Sequence, residues 1–183
     1  MATKALPDVT EEEYLAQESR NWRVGDYFQG RIYPLENASA PHGQIVANLI
    51  YALTPSVRKR GCTIYGSMAL VRVNETGLYT HPDVTIVCGN VQYADARRQD
   101  MILNPALIIE VASPRKFKHY RKIPSLQEYL TVEQAAPELS RYLRQSNSSW
   151  LEEDFEGLEN TLHLKTLDFE IPFSAIYEGV QFS

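Results

Sequence analysis

No stretch of the 183-residue chain approaches the roughly 18 consecutive apolar residues that a membrane-spanning helix requires, and no basic segment at the N-terminus leads into an apolar core. Membrane insertion and export are therefore not expected. Positive charge is also short: 18 basic residues stand against 23 acidic ones, a formal charge of −5. No global positive field draws this protein onto nucleic acid, so any contact with DNA must be local. Cysteine is scarce. Cys62 and Cys88 form no CxxC pair and read as buried free thiols of a reducing compartment, which implies a cytoplasmic address. The four histidines, His42, His81, His119 and His163, show neither HxxxH nor Cys/His spacing, which argues against zinc. GxSxG, GxxxxGK[ST] and GxGxxG are all missing, so serine hydrolase, P-loop and dinucleotide readings have no support.

What is present is an ordinary folding composition, 44% hydrophobic and 22% charged, at a length that predicts one domain over residues 1–183. Thr10 followed three residues later by Glu13 is a capping-box start for a short helix to Ser19. Residues 24–28 and 31–33 flank Gln29-Gly30 as a hairpin. Ile45, Val46, Leu49, Ile50 and Leu53 recur at helical spacing, predicting a main helix from Ala40 to Leu53 that ends or kinks at Pro55. Four β-branched-rich segments follow at 62–65, 69–73, 84–87 and 107–111, and predict four successive strands of one sheet. A second helix over 115–123, strands near 128–132, 139–143 and 150–155, and a helical turn near 173–177 complete the expectation. The fold class is α/β in the broad sense, an α+β arrangement on a mixed sheet with flanking helices.

Glu110 is the most informative residue, because it interrupts the apolar run Ala106 to Ala112, which otherwise reads as a strand covered on both faces. A carboxylate in such a strand persists only when paired, hydrogen-bonded or bound to metal; a salt bridge or a solvent-exposed strand end is the plainer alternative. Asp83 stands after Pro82 at the mouth of the 84–87 strand, where by itself it signals only a turn. If the two strands are neighbours, Asp83 and Glu110 can converge on a hard divalent cation. Arg115, Lys116, Lys118, Arg121 and Lys122 follow directly as the one concentrated basic run, suited to a phosphate backbone or to an ordinary solvated helix face. His42 falls on the same helix side as Ile45 and Leu49, where a hydrogen-bonded core histidine is the commoner outcome.

In their order these residues resemble the Uma-type restriction endonuclease family, a bacterial branch of the PD-(D/E)xK nuclease superfamily. The resemblance runs from Glu11-Glu12-Glu13-Tyr14-Leu15 through Tyr27-Phe28-Gln29-Gly30-Arg31-Ile32-Tyr33, His81-Pro82-Asp83-Val84 and Ile109-Glu110-Val111-Ala112-Ser113-Pro114 to Lys116-Phe117-Lys118-His119-Tyr120-Arg121. It implies a restriction-endonuclease-like core in which Asp83 and Glu110 hold Mg²⁺, with Mn²⁺ as a substitute, and a lysine orients or activates water for attack on DNA. The commoner superfamily pattern places that lysine two residues after the glutamate, where this chain has Ala112. The Lys-Phe-x-x-Tyr-Arg pattern makes Lys116 the candidate and Lys118 the second. Asp26 takes the place of the early glutamate, and with His42 is expected to support the site. Family members carry a longer polar stretch between the Ser-Pro and the Lys-Phe, so a catalytically degenerate fold serving as a binding or interaction module is the alternative. Cutting both strands of DNA would suit a homodimer.

Overall fold

The computed structural model describes residues 8–21, 24–35, 39–97, 99–112 and 114–182. Two mixed sheets carry the architecture, which is α+β as the sequence implies. The five-stranded sheet runs in the order β2 (Arg31–Tyr33), β1 (Asp26–Phe28), β5 (Leu78–Thr80), β4 (Leu70–Val73), β7 (Met101–Ile102). The six-stranded sheet runs β11 (Trp150–Glu156), β10 (Glu138–Arg144), β9 (Glu128–Val132), β8 (Leu107–Val111), β6 (Val84–Cys88), β3 (Cys62–Gly66). A separate hairpin joins β12 (Thr161–Leu164) to β13 (Phe169–Pro172).

The four successive strands expected in one sheet are thus divided: β4 belongs to the five-stranded sheet, while β3, β6 and β8 belong to the other. Four short strands, β5, β7, β12 and β13, lie outside the anticipated segments. The chain crosses from one sheet to the other between β5 and β6, through His81-Pro82-Asp83. This crossing is what puts Asp83 at the seam.

α1 (Glu11–Asn21) begins with the expected capping box, the Glu13 carboxylate accepting from the Thr10 backbone N–H at 2.7 Å while Thr10 Oγ1 accepts from the Glu13 N–H at 3.2 Å. α2 (Ala40–Lys59) starts on the Ser39 cap and continues through Pro55 to Lys59 without ending there. Proline removes one donor, but the carbonyl that loses its partner belongs to Tyr51, which is 85% exposed on the solvent side. Val57, buried two residues beyond the proline, anchors the last part of the helix in the core.

The inward stripe of α2, Ile45, Leu49, Leu53 and Val57, packs on Ile86, Leu107 and Ile109 from one face of the six-stranded sheet. The opposite face, through Val87, Ile108 and Tyr129, packs on Val71 and Val73 of the other sheet and on Tyr120. Period-two alternation assigns Leu107, Ile109 and Val111 to the α2 side and leaves Glu110 with Ile108 on the seam side. The expected second helix is only a 3₁₀ turn, Pro114–Lys116, followed by α3 (Phe117–Tyr120). The last turn, α4 (Phe173–Ile176), closes over the α2 core.

The cysteine expectation is overturned. Cys62 and Cys88 form a disulfide, and neither is buried: Cys62 is half-buried and Cys88 exposed. They sit directly opposite in the antiparallel β3–β6 register, with Cα atoms 4.1 Å apart. No CxxC spacing is needed when register supplies the proximity. The cytoplasmic address drawn from free thiols loses that support; among the described residues no helix is long and apolar enough to cross a membrane. Closing a loop with a sequence separation of 26 restricts the unfolded chain by about 3 kcal/mol. The double substitution Cys62→Ser and Cys88→Ser is expected to lower unfolding free energy by about that amount in urea titration, and the unreduced protein to yield no free thiol with Ellman's reagent.

Candidate active site

In the antiparallel β6–β8 ladder Val84 pairs with Ile109 and Ile86 with Leu107, so one step further places Asp83 opposite Glu110. Both side chains are withdrawn from solvent, at 6% and 2% exposure. The Val111 backbone N–H donates to Asp83 Oδ2 at 2.8 Å, and His42 Nε2 lies 3.2 Å from the same oxygen. His42 reaches it from the first turn of α2, where its own N–H is held by Ser39 Oγ.

Lys116 turns inward from the 3₁₀ segment. Its Nζ lies 3.2 Å from Glu110 Oε1 and 3.0 Å from Asp26 Oδ2, and donates to Thr80 Oγ1 at 3.1 Å. Tyr120, fully buried on α3, donates its hydroxyl to Glu110 Oε1 at 2.5 Å and lies 3.4 Å from Thr80 Oγ1. Asp26 also accepts from the His81 backbone N–H at 3.3 Å. Asp83, Glu110, Lys116, His42 and Asp26 are therefore brought together, from five separate segments. Lys118 is exposed, as are Arg115, Arg121 and Lys122, the last paired with Glu75 at 2.8 Å. Thr80 and Tyr120 were missed as site residues. Tyr120 stood in the Lys-Phe-x-x-Tyr-Arg run; Thr80 had no signal.

Why the lysine comes from position 116 follows from the backbone at Ala112. Its φ of +59° ends the strand by a left-handed turn, and its side chain is exposed. A residue there cannot lie on the Glu110 face by period two. The turn sends the chain back over the site, so the short connection still delivers Lys116 to the carboxylates.

Burial pushes the Glu110 carboxyl up to about 7, opposed by the Lys116 ammonium and the Tyr120 hydrogen bond and reinforced by the negative charges of Asp83 and Asp26. For Lys116, burial acts downward, but Glu110 and Asp26 together outweigh it and hold the ammonium above its ordinary value. Burial likewise raises Tyr120 well above the usual phenol range, keeping it a donor.

Among the described residues no three His, Cys, Asp or Glu side chains are grouped so as to hold a metal ion by themselves. Two carboxylates are nevertheless a fitting donor set for a hard cation that retains several waters. Lys116 and Tyr120 both engage Oε1 of Glu110, and His42 and Val111 both engage Oδ2 of Asp83, so these contacts use one oxygen of each acid.

Against this geometry the comparisons with known proteins are specific. A family model described as "Putative restriction endonuclease" (Uma2) matches residues 11–174, and the chain belongs to that family. The uncharacterized protein slr1290 of Synechocystis sp. (strain ATCC 27184 / PCC 6803 / Kazusa) is 29% identical over 97% of this chain and 95% of its own length. A second protein of that strain, sll1609, is 31% identical over 81% of this chain and 88% of its own. A crystal structure titled as a putative nuclease belonging to DUF820, from Anabaena variabilis ATCC 29413, superposes with a TM-score of 0.72. It is 14% identical and covers 94% of this chain and 99% of that one, a likeness of fold.

Because the folded state holds a proton on Glu110 that the unfolded state releases near its ordinary value of 4.5, stability falls as pH rises from there through about 7. Glu110→Gln removes this loss. The variant is expected to lose less stability than wild type between pH 4 and pH 8, read from parallel denaturation curves.

Proposed function

We propose that this chain, acting as one domain, is an endonuclease of the PD-(D/E)xK kind that hydrolyses DNA phosphodiester bonds with Mg²⁺, or Mn²⁺ in its place. The observation that carries the reading is the pairing of Asp83 with Glu110 across the end of the β6–β8 ladder, with the Lys116 ammonium on Glu110. Both acids would hold the cation. When bound, the ion supplies Lewis acidity toward a phosphate oxygen and acidifies water.

The residues of the chain divide the remaining work. Lys116, its ammonium held protonated by Glu110 and Asp26, orients the attacking water and offsets charge gathering on the phosphate; it is no base at neutral pH. Tyr120 and Thr80 fix Glu110 and Lys116 in place through their hydroxyls. His42 holds Asp83 and presents the positive end of α2 toward the phosphate. Arg115, Lys118 and Arg121, exposed beside the site, meet the backbone on either side of it. Cutting both strands calls for two such sites, which a homodimer provides.

One observation favours a second reading. Lys116 already pairs with both Glu110 and Asp26, so the cluster has an internal counter-ion as it stands and could belong to a binding module without turnover. Calorimetric titration with Mg²⁺ and Mn²⁺ separates the two, since the module has no need of metal.

Asp83→Ala and Glu110→Ala are each expected to abolish Mg²⁺-dependent cleavage of a labelled oligodeoxynucleotide. Lys116→Met is expected to slow it by about 100-fold or more while metal affinity in calorimetry is retained. Undiminished cleavage in the first two variants refutes the assignment.

A further inference from the structure

Beside the carboxylates lies a cavity of about 720 Å³, within the roughly 300–1,000 Å³ range of small-ligand pockets. It opens where the two sheets part, between α1, α2 and the 66–70 connection that leads from β3 to β4. We propose that it receives a nucleobase of the substrate strand, swung out beside the phosphate held at the catalytic carboxylates. This rests on the nuclease reading of that site.

Three observations carry it. The cavity neighbours the site: His42, which holds Asp83, starts a stripe on α2 whose next members, Val46 and Ile50, line the cavity about 6 and 12 Å further along the axis. The peptide is shared as well. His81 lines the cavity, donates its backbone N–H to Asp26, and stands two residues before Asp83. Second, the lining matches a base and not a phosphate. Val46, Ile50, Met68 and Leu70 offer apolar surface for a ring, and the Tyr65 and Tyr93 hydroxyls, 3.3 Å apart, offer polar contacts for its edge. Glu18 and Asp100 contribute acids, while the described lining has no Lys or Arg, so an anion is disfavoured there.

Third, one polar atom of a side chain in the wall lacks a partner. The His81 ring is nearly fully buried, with Nε2 on Glu18 at 2.9 Å and Nδ1 without a hydrogen-bond partner. The division of labour is then physical: the charged phosphate stays with the cation, Lys116 and the α2 terminus, and the neutral heterocycle enters the acidic, apolar cavity. A base can enter only when unstacked, so single-stranded or mismatched DNA is the better substrate.

The test has a binding arm and a cleavage arm. Isotope-labelled wild-type protein is titrated with adenosine, guanosine, cytidine and thymidine, and separately with ribose 5-phosphate, while amide shifts are followed at Gly66, Ser67 and Ala69. Nucleosides are expected to move these amides and ribose 5-phosphate to leave them. In the presence of Mg²⁺, Ala69→Trp, which fills the cavity without touching the carboxylates, is expected to slow cleavage of an intact strand about tenfold and to leave unchanged that of a strand abasic beside the cut. Met68→Ala, at an exposed position on the rim and safe for folding, should act in the same direction more weakly. Amides unmoved by nucleosides, or moved equally by ribose 5-phosphate, overturn the proposal, as does equal slowing of intact and abasic strands. Amides moved by nucleosides in a protein that cuts no strand uphold the base pocket and dismiss the nuclease reading alone.

Discussion

The arrangement turns on one buried carboxylate. Glu110 lies in the middle of a sheet, between Ile109 and Val111 along its strand, and an isolated ion buried there would cost several kcal/mol. Its surroundings answer that cost with an ammonium, a phenol and, through Lys116, a threonine hydroxyl. Lys116 and Tyr120 come from one short helical segment and Thr80 from the five-stranded sheet, so they meet Glu110 only when both sheets and that segment are assembled. The compensation remains incomplete, as the raised Glu110 pKa records. Under the proposed metal-dependent reading, a group left under strain in this way would gain from a cation more than a well-satisfied one.

Geometry at the seam follows from two local decisions of the backbone. The crossing at His81-Pro82-Asp83 carries the chain from one sheet to the other and leaves Asp83 facing the strand that bears Glu110. The left-handed Ala112 then ends that strand abruptly and folds the basic segment back. Only Lys116 of the basic run reaches the acids. Its neighbours remain in solvent, so one short stretch supplies both an internal counter-ion and an external electrostatic surface.

Much of this was legible in the residues themselves. An acid inside an apolar strand is visible without coordinates, because its cost is a matter of composition, and strands 107–111 and 128–132 could be bounded to the residue. The ordered motifs brought in His42, Asp26 and Lys116. What stayed hidden depends on register and tertiary support. That Cys62 faces Cys88, or Asp83 faces Glu110, is a property of strand pairing that neither segment carries alone. Pro55 continues a helix because its outer carbonyl faces water and Val57 is anchored within, which no local propensity encodes. Thr80, a plain strand threonine, acquires its role from what lies across the seam.

The far end of the six-stranded sheet bears on how a polyanion could lie across the molecule. Its outermost strand, β11, carries Glu152, Glu153, Asp154 and Glu156 within seven residues, against the Arg115 to Lys122 surface near the seam. β11 nonetheless runs beside that surface, for Trp150 and Tyr142, whose hydroxyl donates to Glu152, both pack on Phe117. Within the strand Glu153 is already paired with Arg141 at 2.6 Å. A duplex nearing this edge therefore meets repulsion from the remaining acids and attraction from the basic segment at their flank.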